Sequence, residues 1–262
     1  MFEVKQIAAH AWEFLDASQA SFYLVIGEHT AAVIDTGVTY NAQILPEIRK
    51  ITELPVVLVV THAHFDHMYH MDEFDTVYMC HDELQMPLER LQGSMMGKSL
   101  DLRNTIDIRT GSCIDLGGCT LEICLVPGHT PGSVVVWEKE EDLLFTGDAI
   151  GSGCGVWMQV PGGLTVAQYA ESLRFFLRWL VERGGRMRFF GGHNHQPWMS
   201  KKIPGWNPLS LGLLADMIDL AEGVANGTIV GEPCDAKSFT DQPALYAAFG
   251  RAEMIFDGDR IR

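Results

Sequence analysis

Val56-Val57-Leu58-Val59-Val60-Thr61-His62-Ala63-His64-Phe65-Asp66-His67 is the stretch on which the fold turns. Its five consecutive aliphatic residues fall far short of the roughly 18 that a membrane span needs, and they read as a strand buried on both faces. Such a strand belongs inside a sheet covered by other layers. Directly after it, His62, His64, Asp66 and His67 put four potential ligands within six positions. Imidazole and carboxylate are ligand types that Zn²⁺ accepts. In an extended backbone His62, His64 and Asp66 share one face while His67 points elsewhere, so the spacing suits two ions.

Upstream, residues 21–26 and 31–34 are β-rich runs around Gly27-Glu28-His29-Thr30, a hairpin pattern that ends in Asp35-Thr36-Gly37. Ile44, Leu45, Ile48 and Ile51 then recur at helical spacing. Downstream, residues 77–79, 120–126, 134–137 and 143–145 are short strands separated by Gly, Pro and acidic turns. Thr165 with Gln168 has the form of a capping box, and Val166, Ala170, Leu173, Leu177 and Leu180 follow on one helical face until Gly184-Gly185. Residues 187–190 return as a strand, 209–224 read as a second long helix, and 252–261 as two short strands turning at Asp257-Gly258.

Three later motifs repeat the pattern of a strand followed by glycine and a ligand: Gly128-His129-Thr130-Pro131-Gly132, Thr146-Gly147-Asp148-Ala149 and Gly191-Gly192-His193-Asn194-His195. Together with Asp35 at a strand end, five separated motifs coincide in one order. The sequence in this respect resembles the metallo-β-lactamase-fold hydrolase superfamily, over at least residues 21–195, about two thirds of the chain. The resemblance implies an α/β (α+β) fold built as a four-layer αββα sandwich. It also implies that His62, His64 and His129 hold one metal, that Asp66, His67 and His193 hold the other, and that Asp148 bridges them. Two Zn²⁺ are the expected cofactors, with iron or manganese the other ions such ligands take. Asp35 is expected beside the ligands rather than among them. His193 is preferred to His195 because the family's last ligand sits in a Gly-His step after a strand.

That resemblance carries a reaction as well. A hydroxide bridging the two metals would attack a small-molecule ester, lactone or thioester, with Asp148 and Asp66 as the catalytic carboxylates, Asp66 orienting the nucleophile. Gly147-Asp148-Ala149 is similar to the lactonase, thioesterase and glyoxalase II branches rather than to true β-lactamases. His70 stands where the glyoxalase II pattern has glycine. Two alternatives share the motif: a small-molecule phosphodiesterase or amide hydrolase of β-lactamase type, and a persulfide dioxygenase using His62, His129 and Asp148 for one iron. A non-catalytic scaffold on this fold would be expected to have lost ligands, and all seven are present.

Composition fits this reading. The 262 residues carry 34 acidic against 19 basic side chains, a net charge of −15, which repels phosphate backbones and anionic membranes. The expected partner is a small molecule, not long nucleic acid or membrane; the oligomeric state is left open. Residues 1–12 lack the basic start, apolar core and cleavage site of a secretory leader. The six cysteines form no CxxC and read as reduced core residues, so the expected location is cytoplasmic. The ligands run from His62 to His193, so residues 1–262 are expected to form a single domain, with 205–262 a helical and hairpin extension of it. The Trp-rich loops 152–163 and 196–208 are candidates for an apolar pocket wall, and His10 and His29 have no motif around them.

Overall fold

The computed structural model describes residues 2–87, 100–151, 155–193 and 209–262. His195, Trp198 and Trp206 lie outside the described residues. Within them the strands form three sheets. The first runs in chain order through β1 (Glu3–Ala8), β2 (Ala11–Leu15), β3 (Ser21–Ile26), β4 (Ala31–Ile34), β5 (Val56–Val59), β6 (Val77–Met79) and β7 (Ile106–Asp107). It is antiparallel as far as β4 and parallel from there on.

The second sheet comprises β8 (Cys113–Asp115), β9 (Thr120–Leu125), β10 (Val134–Glu138), β11 (Leu143–Gly147) and β13 (Arg188–Gly191), in the order β13-β11-β10-β9-β8. The third contains β12 (Gly155–Trp157), β14 (Glu232–Pro233), β15 (Leu245–Phe249) and β16 (Ala252–Phe256), in the order β12-β16-β15-β14.

Period-two alternation sets the layers. Tyr23, Val25, Ile34 and Val59 of the first sheet meet Ile123, Val134, Val136 and Phe145 of the second in one buried cluster. Their neighbours Phe22, Leu24, Val33 and Leu58 face the other way. There they pack against Ile44, Ile48 of the short helix α1 (Leu45–Ile48) that follows it, and Met68 of α2 (Phe65–Met68). On the far side Cys124, Val135 and Leu144 pack against the long helices α3 (Val166–Glu182) and α4 (Leu211–Asn226). The order is therefore helix, sheet, sheet, helix, the expected αββα sandwich.

The capping box forms as read: Thr165 Oγ1 accepts from Gln168 N, and Thr165 N donates to Gln168 Oε1 at 3.1 Å. Leu173, Phe176 and Leu180 of α3 are buried. Helix α4 is capped by Ser210 and ends in a left-handed Gly227, φ +82°. It also packs on β15 and β16, so Ala247, Ala252 and Met254 join its core.

Two local expectations are corrected and one element is added. The C-terminal hairpin turns at Gly250-Arg251, between β15 and β16, not at Asp257-Gly258. Asp257 instead caps a 3₁₀ turn, its side chain accepting from Asp259 N. Residues 155–157 are a strand rather than a loop: Val156 is buried in the core with Met158, and β12 pairs in parallel with β16. Residues 3–15 form a hairpin at the edge of the first sheet that the sequence pattern leaves unassigned. Cys80, Cys119 and Cys124 are buried free thiols, as read, but the free thiols Cys113 and Cys234 are exposed and half-buried rather than core residues. Among the described residues, no helix is long and apolar enough to cross a membrane.

Candidate metal centre

Parallel pairing brings the ligand loops together. β4 and β5 are aligned with Ile34 opposite Val59, so Asp35 and Thr61 leave the sheet side by side, and Asp35 N donates to Val59 O. β11 and β13 are aligned with Gly147 opposite Gly191, which sets Asp148 beside Gly192 and His193. The two sheets are tied at this same edge, where Val134 N donates to Thr61 O and Ser21 N to Gly192 O.

The chain leaves its strand through Thr61 and His62, and His64 then caps the single turn α2. Asp66 is therefore on a helical turn rather than on the extended face that its spacing suggests. Gly192 is required here, because a Cβ would lie 2.5 Å from Asp148 Oδ1 and 2.6 Å from His67 Cε1.

All seven predicted residues converge. His62, His64 and His129 offer donor atoms within 4.8 Å of one another, as do Asp66, His67 and His193, and also His62, His67 and Asp148. Asp148 Oδ2 lies 3.3 Å from His193 Nε2, 3.7 Å from His67 Nε2 and 3.8 Å from His129 Nε2, so it faces both groups. Asp66 Oδ2 is 3.3 Å from His193 Nε2.

Hydrogen-bond partners assign the imidazole tautomers. His67 Nδ1 lies 2.8 Å from Asp35 Oδ2, and His129 Nδ1 lies 2.6 Å from the carbonyl of Trp157. Both partners can only accept, so these Nδ1 atoms carry a proton and Nε2 is the nitrogen left to bind an ion. Thr61 Oγ1 donates to Asp35 Oδ2 and therefore accepts from His62 Nδ1, 3.1 Å away. The Nε2 atoms of His62 and His67 are buried with no hydrogen-bond partner. His129 Nε2 and His64 Nδ1 face each other at 2.9 Å. Buried imidazole lone pairs aimed at a common point are costly unless a cation takes them, so the donor set fits metal ions.

Charge divides the centre into two halves. Burial, followed by the neighbouring imidazoles His67, His64 and His129, holds His62 well below the usual histidine range. Burial and then His129 and His67 do the same to His64, and burial lowers His129. In the other half burial opposes protonation, but Asp35, Asp66 and Asp148 together push His67 well above its usual range. His193 is raised likewise by Asp148 and Asp66 against its burial. Burial works against ionisation of Asp148, yet His193 and His67 hold its carboxyl well below the usual range.

Several supporting groups have no signature in the sequence. Glu83 is fully buried; its Oε2 accepts from Ala63 N and its Oε1 from Gly132 N, both at 2.6 Å. One side chain thus ties the loop of His62 and His64 to that of His129. Burial pushes its carboxyl up to about 7. No local pattern around Glu83 announces this, and the Trp157 carbonyl that orients His129 has no signal in side-chain identity at all. His70 is buried, with Nδ1 2.8 Å from Glu73 Oε1, and caps a 3₁₀ turn rather than lying within a helix.

Comparison with known proteins agrees with this geometry. The family model "Metallo-beta-lactamase superfamily" matches residues 15–193. The acyl-coenzyme A thioesterase MBLAC2 of Homo sapiens is 25% identical over 210 residues, covering 67% of this chain and 73% of that protein. A hydroxyacylglutathione hydrolase of Synechococcus sp. (strain JA-2-3B'a(2-13)) is 30% identical over 130 residues, 48% of this chain and 46% of that protein. Among solved structures, a metallo-beta-lactamase from Pontibacter korlensis superimposes with a TM-score of 0.61 at 19% identity, covering 85% of this chain and 99% of that one. The family match spans every ligand loop from Asp35 to His193, and the chain belongs to the metallo-beta-lactamase superfamily and is an enzyme of the hydrolase class.

Proposed function

We propose that the chain is a dinuclear, zinc-dependent hydrolase of a small-molecule carboxylic thioester or ester. The observation that carries this reading is the pair of buried imidazole nitrogens without hydrogen-bond partners, His62 Nε2 and His67 Nε2, gathered around Asp148. His62, His64 and His129 would hold one ion, Asp66, His67 and His193 the other, and Asp148 would touch both. Bound zinc supplies Lewis acidity at the carbonyl under attack and lowers the pKa of water to about 7.

The chain's own groups do the rest. Asp35, Thr61 and the Trp157 carbonyl keep the protons of His67, His62 and His129 on Nδ1, away from the ions. Asp66 and Asp148 place carboxylate oxygens where a nucleophilic water would be oriented. Glu83 fixes the separation of the two loops that carry the first set of ligands. Thioesters are the favoured class because two relatives are an acyl-coenzyme A thioesterase and a hydroxyacylglutathione hydrolase.

The test is turnover of a panel of thioesters, esters, lactones and phosphodiesters, before and after chelation and after zinc is restored. Thioester hydrolysis that falls at least tenfold on chelation and returns with zinc supports the reading. Full activity in metal-free protein would overturn it, and zinc-dependent turnover of phosphodiesters alone would replace the substrate class.

A further inference from the structure

His10, which no sequence motif surrounds, meets two other ligand-type side chains at the opposite end of the sandwich. Its Nε2 lies 3.3 Å from Glu138 Oε1, and Cys119 Sγ lies 3.4 Å from the same oxygen. The donor atoms of the three residues all fall within 4.8 Å of one another. They come from three separate places: the β1–β2 turn, the residue before β9 and the last residue of β10. β10 starts at Val134, which bonds to Thr61, so at about 3.3 Å per residue Glu138 lies about 13 Å from the catalytic edge.

We propose that His10 Nε2, Cys119 Sγ and Glu138 Oε1 form a second, separate binding site for one thiophilic divalent ion of the zinc class. With metal bonds of about 2.1 Å to nitrogen or oxygen and about 2.3 Å to sulfur, tetrahedral ligands stand about 3.4 Å apart for N and O and about 3.6 Å for S and O. The two observed distances lie within about 0.2 Å of those edges.

The surroundings are built for a cation. His10 Nδ1 lies 3.3 Å from Glu141 Oε1, and Glu141 Oε2 accepts from Ala9 N. A carboxylate behind a histidine fixes the ring and aims its Nε2 forward, the arrangement that supports metal-bound imidazole. Glu138 is completely buried and is held by the backbone N–H groups of Glu140 and Glu141. The nearby cation Lys139 is engaged with Glu122 instead.

His10 Nε2 is itself buried without a hydrogen-bond partner. The His10 side chain keeps 24% of its surface in solvent, so the site lies just beneath the surface. On binding, a metal–sulfur bond replaces the S–H bond of Cys119 and the proton leaves to solvent. The ion would fasten the N-terminal hairpin to the second sheet.

Cobalt substitution tests this directly, because the catalytic ligands among the described residues include no cysteine. Metal-free protein loaded with Co²⁺ should develop a thiolate-to-cobalt charge-transfer band in the near ultraviolet. That band should vanish in Cys119→Ser with one equivalent less bound metal, weaken in His10→Gln with looser binding of that same equivalent, and persist in Asp148→Asn. Absence of the band in the wild-type protein, or its survival in Cys119→Ser, overturns the proposal. His10→Gln, at a surface turn, provides the test should Cys119→Ser fail to fold.

Discussion

Replacing Asp35 by asparagine removes one charge and no atoms of the carbon frame, and the hydrogen bonds around it determine the consequence. Asp35 has φ +61°, a conformation that asparagine also adopts readily, so backbone strain is no confound. Its Oδ1 accepts from Thr61 N, while Oδ2 accepts from Thr61 Oγ1 and faces His67 Nδ1, all at 2.8 Å. An amide with its oxygen on Thr61 N presents NH₂ to His67, which must then accept at Nδ1 and carry its proton on Nε2. Thr61 Oγ1, now receiving a donor, is free to donate to His62 Nδ1 and shift that tautomer too. The opposite flip sets NH₂ against the Thr61 N–H and leaves a buried donor unpaired, at about 1–3 kcal/mol.

The first orientation costs the centre ligand nitrogens, and the second keeps them only at the price of that unpaired donor. Partners behind metal-bound histidines are worth about 10- to 100-fold in metal affinity, or about 1.4–2.7 kcal/mol. Competition with a chromophoric chelator, alongside thermal melts to verify folding, would read this. A folded Asp35→Asn protein with wild-type zinc affinity and turnover would refute the argument that Asp35 sets the tautomers.

Other outcomes rest on single features. Gly192→Ala should leave the circular dichroism spectrum intact but lower bound zinc and turnover at least tenfold, because the new methyl would displace Asp148 or His67. Glu83 ionises at about 7 in the folded protein against 4.5 unfolded. Its contribution is therefore complete below pH 4.5 and is lost as pH rises through about 7, by about 3 kcal/mol in all. In denaturant titrations of metal-free protein, Glu83→Gln should flatten that part of the stability profile, and parallel profiles would contradict the assignment. Thr165→Ala removes the capping box and should cost about 1 kcal/mol in unfolding free energy with turnover unchanged.

What could be read from the sequence was what is local. His62, His64, Asp66 and His67 sit within one turn of chain after an unmistakable buried strand, and Gly192-His193 carries its own backbone requirement in the preceding glycine. Helix α3 was legible because its cap and its apolar face occur within 17 residues. The misread hairpin shows the limit of dipeptide preference. Asp257-Gly258 is a favoured turn, but Phe256 is buried in the core and Gly250, φ +57°, makes the turn instead. β12 was missed because its partner, β16, lies about a hundred residues away in sequence. The hairpin of residues 3–15 was missed because most of β1 faces solvent and shows no apolar period. Glu83, the Trp157 carbonyl and the His10 cluster owe their roles to contacts between distant segments, for which neither spacing nor composition leaves a trace.

The central claim is the placement of two ions by seven named side chains. Anomalous diffraction at the zinc absorption edge, on crystals of protein grown with zinc, tests it most directly. At this end of the sandwich the account predicts two neighbouring peaks, apart from any at His10, one within bonding distance of His62, His64 and His129, the other of Asp66, His67 and His193, with Asp148 in contact with both. Zinc-replete crystals lacking a peak among His62, His64 and His129 would contradict it.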